Sequence, residues 1–437
     1  MKVKPVRIGL VGYGTVGGGM VRLLQSERDR IRAATGADLA IARIADAVEN
    51  PHPDIALPPG TLTRDYRAVI SDPAVDIVVE LVGGTTVAYD VIAGALRNKK
   101  HVVTANKALL AEKGAELFPL ARENGCVLAF EAAVCGAIPV VRAIKEGLCG
   151  SRILSLHGIL NGTANFILTK MRFEKKDFAT ALKQAQTLGF AEADPTFDVE
   201  GIDSAHKLAL LAALSFGRFY DWHGFHVSGI TRITDLDIQY ADEMGCVIKL
   251  LAIAQRTEQG PPFLSVAPTL IPRDSILAGV NHEFNGVLIE TEAAGPLLLT
   301  GRGAGASPTG SAILSDLTHL AAYGPLEREA FRMYPEGLDG RPAAPDDLMA
   351  EYYIRLTAVD KPGVMARISG ALGDHGVSIA MLLQKLATEN GNAVIVIKTH
   401  DIRTRQLNDA LKTVDGLDIV NGPSLKIRIL DPLSANS

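Results

Sequence analysis

The stretch VRIGLVGYGTVG, residues 6–17, joins an apolar run to a glycine-rich turn. The run has the length and β-branched content of a buried strand, and a helical pattern follows the turn. Gly12, Gly14 and Gly17 hold the GxGxxG spacing, which brings backbone N–H groups at a helix N-terminus close to a pyrophosphate. The stretch therefore predicts a dinucleotide site that includes Thr15 and Val16. A plain glycine-rich turn is the alternative.

Further strand-length apolar runs follow, separated by segments of helix length. They cover residues 39–45, 76–82, 101–105 and 127–132. This alternation is typical of an α/β fold with a parallel sheet. We therefore predict a Rossmann-type domain over residues 1–135, completed by a segment at roughly 301–325.

Asp46 follows the second strand-length run, where an acid would bind a ribose hydroxyl of the dinucleotide. It comes later than the usual spacing of about 20 residues, so the helix or loop before it must be extended. Ala45 precedes it, with no adjacent arginine, which favours NAD over NADP; Arg43 and Arg64 are the arginines that would approach it in space. A surface aspartate in a turn is the alternative.

The motif TANK, residues 104–107, comes at the end of the fourth run. Ligands of open α/β sheets bind outside the carboxyl ends of the strands, so we expect Thr104 and Lys107 in the site. A solvated lysine at a strand end is the alternative.

From residue 151 the pattern changes to α+β. A strand enters a turn where Asn161 or Thr163 would cap the next helix. Helical patterns at 177–188 and 201–216 flank an acidic segment, and apolar strands are predicted at 266–271, 286–292 and 296–301. The last strand ends at GRGAG, residues 301–305, before a helix predicted to begin near Thr309. Gly303 and Gly305 either return to the dinucleotide or form a plain connection.

The acidic segment at 193–207 reads ADPTFDVEGIDSAHK. Asp203 and Lys207 are spaced i, i+4, so on a helix their side chains share one face. A lysine beside acids in a cleft can act as a general acid or base. An ordinary ion pair on a solvated helix face is the alternative.

A shift in composition marks the last boundary. Residues 334–347 are rich in Pro, Gly and Asp, and we predict a linker at 334–349. It separates a substrate-binding and dimerisation domain at 136–333 from a small domain at 350–437. The small domain has the predicted order βαββαβ, which is ferredoxin-like.

Bulk properties restrict the class of protein. No apolar run approaches the roughly 20 residues that span a membrane, and the N-terminal apolar run carries a glycine-rich turn in place of a cleavage site. The cysteines (Cys126, Cys135, Cys149 and Cys246) lack CxxC spacing, so we expect a cytoplasmic protein without a zinc site. A net charge of -5 gives no electrostatic case for nucleic acid or an anionic membrane.

The motifs GYGTVG, ELVGG, TANK, EAAVCGAIP, GILNGTANFIL, GFAEADPTFDVEGIDSAHK and GRGAG occur in this order. The set resembles bacterial homoserine dehydrogenase with a C-terminal ACT domain, over nearly the whole chain. The resemblance implies reversible reduction of L-aspartate 4-semialdehyde to L-homoserine with a nicotinamide coenzyme, on the route to threonine, methionine and isoleucine. It also implies threonine as an effector and a homodimer or homotetramer.

The resemblance also assigns roles to individual residues. Lys207 matches the catalytic lysine, and Lys107 matches a lysine at the junction of nicotinamide and substrate. The residues that match substrate-binding acids are Glu192, Asp198 and Asp203, and Gly189 matches a coenzyme contact. A sodium site is implied at Glu131 and the backbone carbonyls of Val134, Gly136 and Ile138. Cys135 adds bulk beside that loop, where the family commonly has glycine.

The sequence leaves two other functions open. Cys135 is a candidate thiol nucleophile for an acylating semialdehyde dehydrogenase, although no histidine base is evident nearby in sequence. A non-catalytic sensor of NAD(H) and an amino acid is the second. A sensor would have no reason to keep the cluster of acids and lysine.

Overall fold

The computed structural model describes residues 4–257, 260–330, 340–384 and 391–433, without the side chains of residues 324–330. It divides into two compact units that interleave along the chain. The first unit comprises Met1–Leu154, Asp203–Gly224 and Phe284–Arg341; the second comprises Ser155–Ile202, Phe225–Glu283 and Pro342–Ser437. The predicted domain boundaries stay predictions. Residues 334–339 of the predicted linker lie outside the described residues.

The first unit contains a six-stranded sheet in the order β3-β2-β1-β4-β5-β6, with every neighbouring pair parallel. The strands are β1 (Lys4–Val11), β2 (Ala37–Ala45), β3 (Leu62–Thr63), β4 (Ile77–Glu80), β5 (His101–Thr104) and β6 (Leu128–Ala129). The connecting helices are α1 (Thr15–Thr35), α2 (Tyr66–Ile70), α3 (Val87–Arg97) and α4 (Lys107–Glu123). This order confirms the Rossmann-type prediction, and it places a crevice at the carboxyl ends of β1 and β4.

The remaining elements of the first unit come from three stretches of the chain. They are α5 (Val140–Arg142), continued by a π-helical turn at Ala143–Gly147, then α9 (Ile202–Phe216), β11 (Phe284–Thr291), β12 (Gly295–Arg302) and α11 (Ala306–Ala330). Strands β11 and β12 form an antiparallel hairpin.

Helix α11 packs closely against α1. A Cβ atom on Gly19 would lie 3.0 Å from the carbonyl oxygen of Ala306, and one on Gly310 would lie 3.1 Å from the Met20 nitrogen. The prediction that α11 begins near Thr309 is wrong by about one turn. Thr309 N–H already donates to the Gly305 carbonyl at 3.0 Å, and a proline in the first turn, here Pro308, has no helical hydrogen bond to lose.

The second unit has a sheet in the order β7-β9-β10-β17-β13-β15-β14. Its strands are β7 (Ile153–Ile159), β8 (His226–Val227), β9 (Cys246–Gln255), β10 (Phe263–Pro272), β13 (Met349–Val359), β14 (Ile379–Gln384), β15 (Asn392–Thr399), β16 (Ile402–Arg403) and β17 (Leu425–Ile429). Its helices are α6 (Gly162–Glu174), α7 (Phe178–Thr187), α8 (Thr196–Val199), α10 (Asp235–Glu243), α12 (Val364–Asp374) and α13 (Thr404–Asp415).

The C-terminal part of this unit confirms the predicted βαββαβ order, formed by β13-α12-β14-β15-α13-β17. Its core is apolar and includes Ile354, Ile368 and Leu407, each fully buried. Strand β17 also pairs in parallel with β10, where Arg428 lies opposite Thr269. The C-terminal fold therefore continues the sheet of the preceding segments of the same unit. Within the described residues, no helix combines the length and hydropathy needed to cross a bilayer.

Candidate active site

The glycine-rich turn between β1 and α1 has the shape that a dinucleotide requires. A Cβ atom on Gly12, where φ is 98°, would lie 2.5 Å from the Leu81 backbone, and one on Gly17 would lie 2.4 Å from the Gly12 carbonyl. A Cβ on Gly14 would meet nothing within 4 Å. Two glycines are thus required by packing, and the third leaves open space beside the turn, as a pyrophosphate site needs.

Helix α1 begins at Thr15, followed by Val16, with Gly14 as its N-cap. No side chain caps this end and no acid occupies the first turn. The N-terminal N–H groups of a helix carry partial positive charge and favour an anion. The residues present therefore fit the phosphates of a dinucleotide.

Asp46 lies directly after β2, beside the glycine turn. Its Oδ2 atom accepts a hydrogen bond from Tyr13 N–H at 2.5 Å, and its Oδ1 accepts one from Val48 N–H at 2.8 Å. Arg43 pairs with Asp72 at 2.9 Å and Arg64 pairs with Glu49 at 3.4 Å. Asp46 is thus an acid at the expected strand end that also holds the glycine turn, and both candidate arginines have carboxylate partners.

Glu80, at the end of β4, supports the loops of the candidate site and was not singled out in the sequence. Its carboxylate is fully buried and accepts hydrogen bonds from Thr104 Oγ1 at 2.6 Å, Val82 N–H at 2.8 Å and Gly83 N–H at 3.2 Å. Burial raises the pKa of Glu80. Thr104 therefore supports the ELVGG loop through its side chain. The signal for Glu80 in the sequence was an acid at the end of a strand, before two glycines.

Asn106 continues this support from the TANK motif. Its Nδ2 donates to the Gly84 carbonyl at 2.7 Å, and its Oδ1 accepts from Leu109 N–H at 3.1 Å. The second contact caps α4, whose first residue is Lys107. The position of Lys107 is thereby fixed by the cap and by the neighbouring strand end.

Asp203 bridges two lysines. Lys207 Nζ lies 2.6 Å from Asp203 Oδ2, and Lys107 Nζ lies 3.2 Å from Asp203 Oδ1. The side chains of Asp203 and Lys207 are only 6% and 10% exposed, whereas that of Lys107 is 30% exposed. Asp203 and Lys207 share one face of α9, as their spacing predicts. Two ammonium groups around one shielded carboxylate are suited to moving a proton and stabilising negative charge.

Glu131 lies after β6, in the loop that leads to α5. Its two carboxylate oxygens accept from Val141 N–H at 2.8 Å and Arg142 N–H at 2.9 Å, so they cap α5. Asp316 on α11 accepts from Glu131 N–H at 2.9 Å and pairs with Arg142 at 3.1 Å. Burial raises the pKa of Glu131, and that of Asp316 to about 7.

The three backbone positions of the implied sodium site follow in the same loop. Val134 N–H donates to the Glu131 carbonyl at 3.3 Å, and the Ile138 carbonyl accepts from Val140 N–H at 2.8 Å. Gly136 has φ of 53°, and its missing side chain allows the Gly303 carbonyl to approach. Among the described residues, no group of three or more His, Cys, Asp or Glu side chains has a metal-binding arrangement. A metal here would depend on backbone carbonyls.

Cys135 is fully buried with φ of 56°. Burial raises the pKa of its thiol to about 11, although Lys207 and a hydrogen bond from the Asn285 side chain act in the opposite direction. A thiol that stays protonated at neutral pH is a poor nucleophile, which argues against the acylating alternative.

Gly303 and Gly305 form the turn from β12 into α11. A Cβ on Gly303 would lie 2.2 Å from Asn285 Nδ2, and Gly305 has φ of 118°. Because α11 starts against Gly19 of α1, this turn returns to the helix that follows the dinucleotide turn. Packing and backbone conformation alone would already require both glycines.

In the second unit, Asn161 orients Asp198. Asn161 Nδ2 donates to Asp198 Oδ1 at 2.7 Å, while Asn161 Oδ1 caps α6 by accepting from Ala164 N–H at 2.8 Å. Thr163 instead donates to the Phe190 carbonyl at 2.6 Å. Asn161 is thus the cap, and its link to Asp198 was not visible in the sequence.

The other predicted residues of the second unit lie between α7 and α8. Gly189 has φ of 76°, the side chain of Glu192 is exposed, and the Glu192 carbonyl accepts from Gln186 Nε2 at 3.1 Å. Asp194 accepts from Thr196 N–H at 3.1 Å, and its hydrogen bonds with Thr196 lower the pKa of Asp194. Asp194 therefore caps the turn before α8.

Family models match most of the chain. They are described as "Homoserine dehydrogenase, NAD binding domain" over residues 12–131, "Homoserine dehydrogenase" over residues 139–318 and "ACT domain" over residues 352–417.

Individual proteins are similar over nearly their full length. A homoserine dehydrogenase of Pseudomonas aeruginosa is 43% identical, with 98% of this chain and 99% of that protein covered. One of Bacillus subtilis is 40% identical, with 96% of each covered. The crystal structure of a homoserine dehydrogenase from Thiobacillus denitrificans has a TM-score of 0.91 at 41% identity, covering 98% of this chain and 99% of that one.

A more distant structure contains a coenzyme. It is a hyperthermophilic archaeal homoserine dehydrogenase in complex with NADPH, with a TM-score of 0.62 at 26% identity. It covers 72% of this chain and 97% of its own.

Proposed function

Because the chain belongs to the homoserine dehydrogenase family, we propose that it interconverts L-homoserine and L-aspartate 4-semialdehyde, with Lys207 as the group that moves the proton. The observation that carries this proposal is the contact of Asp203 with both Lys207 and Lys107. A nicotinamide coenzyme held at the glycine turn would supply or accept the hydride. Because the family is assigned, we do not propose the acylating semialdehyde dehydrogenase or the non-catalytic sensor.

The chemistry requires a proton at the substrate oxygen. When homoserine is oxidised its hydroxyl proton must leave, and when the aldehyde is reduced the developing alkoxide must be protonated. Lys207 takes or gives this proton, and Lys107 stabilises the oxyanion. Asp203 orients the two ammonium groups in addition to the substrate-binding role implied by the resemblance.

Glu192 and Asp198 are proposed to bind and orient the substrate. Their positions in the motif GFAEADPTFDVEGIDSAHK support these roles, and the hydrogen bond from Asn161 fixes one oxygen of Asp198. An exposed carboxylate such as that of Glu192 is suited to binding the ammonium group of homoserine. Replacing Glu192 with Gln should mainly raise the KM for homoserine, so an unchanged KM would remove this assignment.

For the coenzyme we propose a preference for NAD over NADP. An acid at the end of β2 binds ribose hydroxyls and repels a 2′-phosphate, and Asp46 holds this place. The pairing of Arg43 with Asp72 and of Arg64 with Glu49 supports the same preference. Gly189, Gly303 and Gly305 are proposed as further coenzyme contacts on the resemblance alone.

A sodium ion at the Glu131 loop is a further proposal. One carboxylate and three carbonyls form an all-oxygen donor set, which suits a hard cation. Each carboxylate oxygen of Glu131 keeps a second lone pair besides its N–H contact, and a cation would offset the cost of burying this charge. The residues therefore fit, and initial rates in sodium chloride and in choline chloride would differ if the ion takes part.

We also propose threonine inhibition through the C-terminal domain. Asp237, the N3 residue of α10, is fully buried and accepts hydrogen bonds from Tyr353 Oη at 2.8 Å and Arg355 Nε at 2.7 Å, both on β13. At its other end α10 pairs with α6 through Asp242 and Arg172 at 3.1 Å. Helix α6 carries Asn161 at its N-cap, so contacts run from the C-terminal domain to Asp198 within one unit.

We further propose that the protein forms a homodimer or homotetramer. We expect it in the cytoplasm, where it would serve the synthesis of threonine, methionine and isoleucine. Strand β14 exposes Met381 and Leu382 at a sheet edge, and apolar edge strands favour pairing with another chain.

The proposed function is tested by initial rates of NADH and NADPH formation from homoserine. Homoserine-dependent rates that threonine lowers would support it, and the absence of homoserine-dependent reduction of either coenzyme would overturn it.

A further inference from the structure

Trp222, the single tryptophan of the chain, joins the two helices that carry the lysines. It lies in the turn after α9. Its ring packs edge-on against His206 of α9, with centroids 4.6 Å apart and an interplanar angle of 76°. Its Nε1–H donates to Glu112 Oε1 on α4 at 2.8 Å. His206 directly precedes Lys207, and α4 begins at Lys107.

A second contact anchors the same turn farther along α4. Phe219 stacks on Phe118, with centroids 5.6 Å apart. Gly114 makes room for this ring, because a Cβ there would lie 2.9 Å from it. Phe219 is 7% exposed and belongs to the apolar interior. Phe219 therefore anchors the turn at Phe118, whereas Trp222 contacts α4 at Glu112, nearer to Lys107.

His206, which precedes Lys207 on α9, is buried and uncharged at neutral pH. It is 5% exposed, and burial together with the charge of Lys107 lowers its pKa to about 4. At neutral pH the imidazole is therefore uncharged. The Trp222 ring therefore packs against an uncharged imidazole.

The Lys207–Asp203 and Lys107–Asp203 distances are determined by different parts of the structure. Lys207 and Asp203 meet within one turn of α9, and their 2.6 Å separation follows from helix geometry. Lys107 and Asp203 lie on different helices, so their 3.2 Å separation depends on how α4 and α9 are held together. Small displacements of a positioned group lower the rate steeply, by roughly 100-fold for about 1 Å.

We propose that Trp222 is a positioning residue for the reaction, which holds Lys107 at Asp203 by bridging Glu112 on α4 and His206 on α9. The inference rests on the proposed role of the lysines. It assigns a rate contribution to a turn that contains none of the motifs of the active site. Trp222 acts on the lysines through Glu112 and His206.

The test is steady-state kinetics of the full-length enzyme with homoserine, together with coenzyme affinity. Trp222→Ala should lower kcat about 10-fold while the KM for homoserine and the coenzyme Kd stay within about twofold. Trp222→Phe retains a ring against His206 but loses the hydrogen bond to Glu112, so its kcat should recover to about one-third to one-fifth of the wild-type value. Glu112→Ala removes only the hydrogen bond and should lower kcat about threefold to fivefold.

Glu116→Ala is the matched control, since Glu116 lies on the same helix and pairs with Lys113 at 2.9 Å; it should leave kcat unchanged. A Trp222→Ala enzyme with kcat within twofold of the wild type would overturn the inference. So would a parallel loss of kcat and coenzyme affinity that Trp222→Phe fails to restore, because that pattern indicates a purely structural role. An inactive wild type would overturn the proposed function and this inference together, whereas an active wild type with an equally active Trp222→Ala overturns the inference alone.

Discussion

Lys207 lies 2.6 Å from Asp203, one turn away on the same helix, and both side chains are nearly excluded from solvent. A buried ion pair of this kind contributes little to stability, because desolvation offsets most of the Coulomb attraction. Its geometry instead fixes the position of the ammonium group. The approach of Lys107 to the other carboxylate oxygen makes this pair the centre of the proposed chemistry.

Replacing Lys107 with Ala should lower kcat about 100-fold, since it removes a positive charge next to the developing oxyanion. Lys113→Ala on the same helix is the control. Lys113 is about half exposed and pairs with Glu116, so kcat should stay within twofold. Steady-state kinetics with homoserine compares the two variants, and equal kcat values would exclude the proposed role of Lys107.

Asp46→Asn should shift the coenzyme preference towards NADP. The amide keeps an acceptor for Tyr13 N–H but no longer repels a 2′-phosphate, so we expect the ratio of kcat/KM for NADP to that for NAD to rise about 10-fold. Asp38→Asn, which removes a surface partner of Arg28 at the start of β2, should not change the ratio. An unchanged ratio in Asp46→Asn would contradict a role at the ribose.

His157 should make the protein less stable in mild acid. It is fully buried on β7, its ring nitrogens lack a hydrogen-bond partner among the described residues, and burial lowers its pKa to about 3. Between that value and about 6.5 only the unfolded chain binds the proton, so the free energy of unfolding falls as pH drops below 6.5. The loss at pH 5 should be about 2 kcal/mol.

His157→Leu should remove this loss, whereas His400→Leu, at an exposed position, should retain it. Urea unfolding at pH 7.5 and pH 5 measures both variants against the wild type. A pH dependence that His157→Leu leaves intact would show that other groups cause it.

Tyr353→Phe should weaken threonine inhibition by removing the hydroxyl that donates to Asp237. Loss of one buried hydrogen bond, about 1 kcal/mol, corresponds to roughly a fivefold change in the concentration of threonine for half-maximal inhibition. Tyr352→Phe is matched, because that hydroxyl bonds to Thr404 within the C-terminal domain. Equal inhibition of Tyr353→Phe and wild type, with equal threonine binding by calorimetry, would argue against coupling through Asp237.

The sequence predicted local features whose physical cause is local. The Rossmann-type strands, the glycine turn and the shared helix face of Asp203 and Lys207 depend on alternation, glycine spacing and helical period. Strand β9 was not predicted, because a continuous apolar run fits a buried helix as well as a strand.

Other features depend on contacts between distant segments. Glu80 and Asn161 support the motifs that contain them through hydrogen bonds to Thr104 and Asp198, which spacing along the chain does not indicate. Three separate segments form each compact unit, and spacing along the chain does not indicate the contacts that join these segments.

The central claim is that Lys207 moves the proton. Its most direct test is Lys207→Ala, measured as kcat for homoserine oxidation together with coenzyme Kd. We predict that kcat falls about 1,000-fold while Kd stays within twofold, because general acid–base catalysis contributes about that much and the coenzyme turn is untouched. A Lys207→Ala enzyme that retains the kcat of the wild type would contradict the claim.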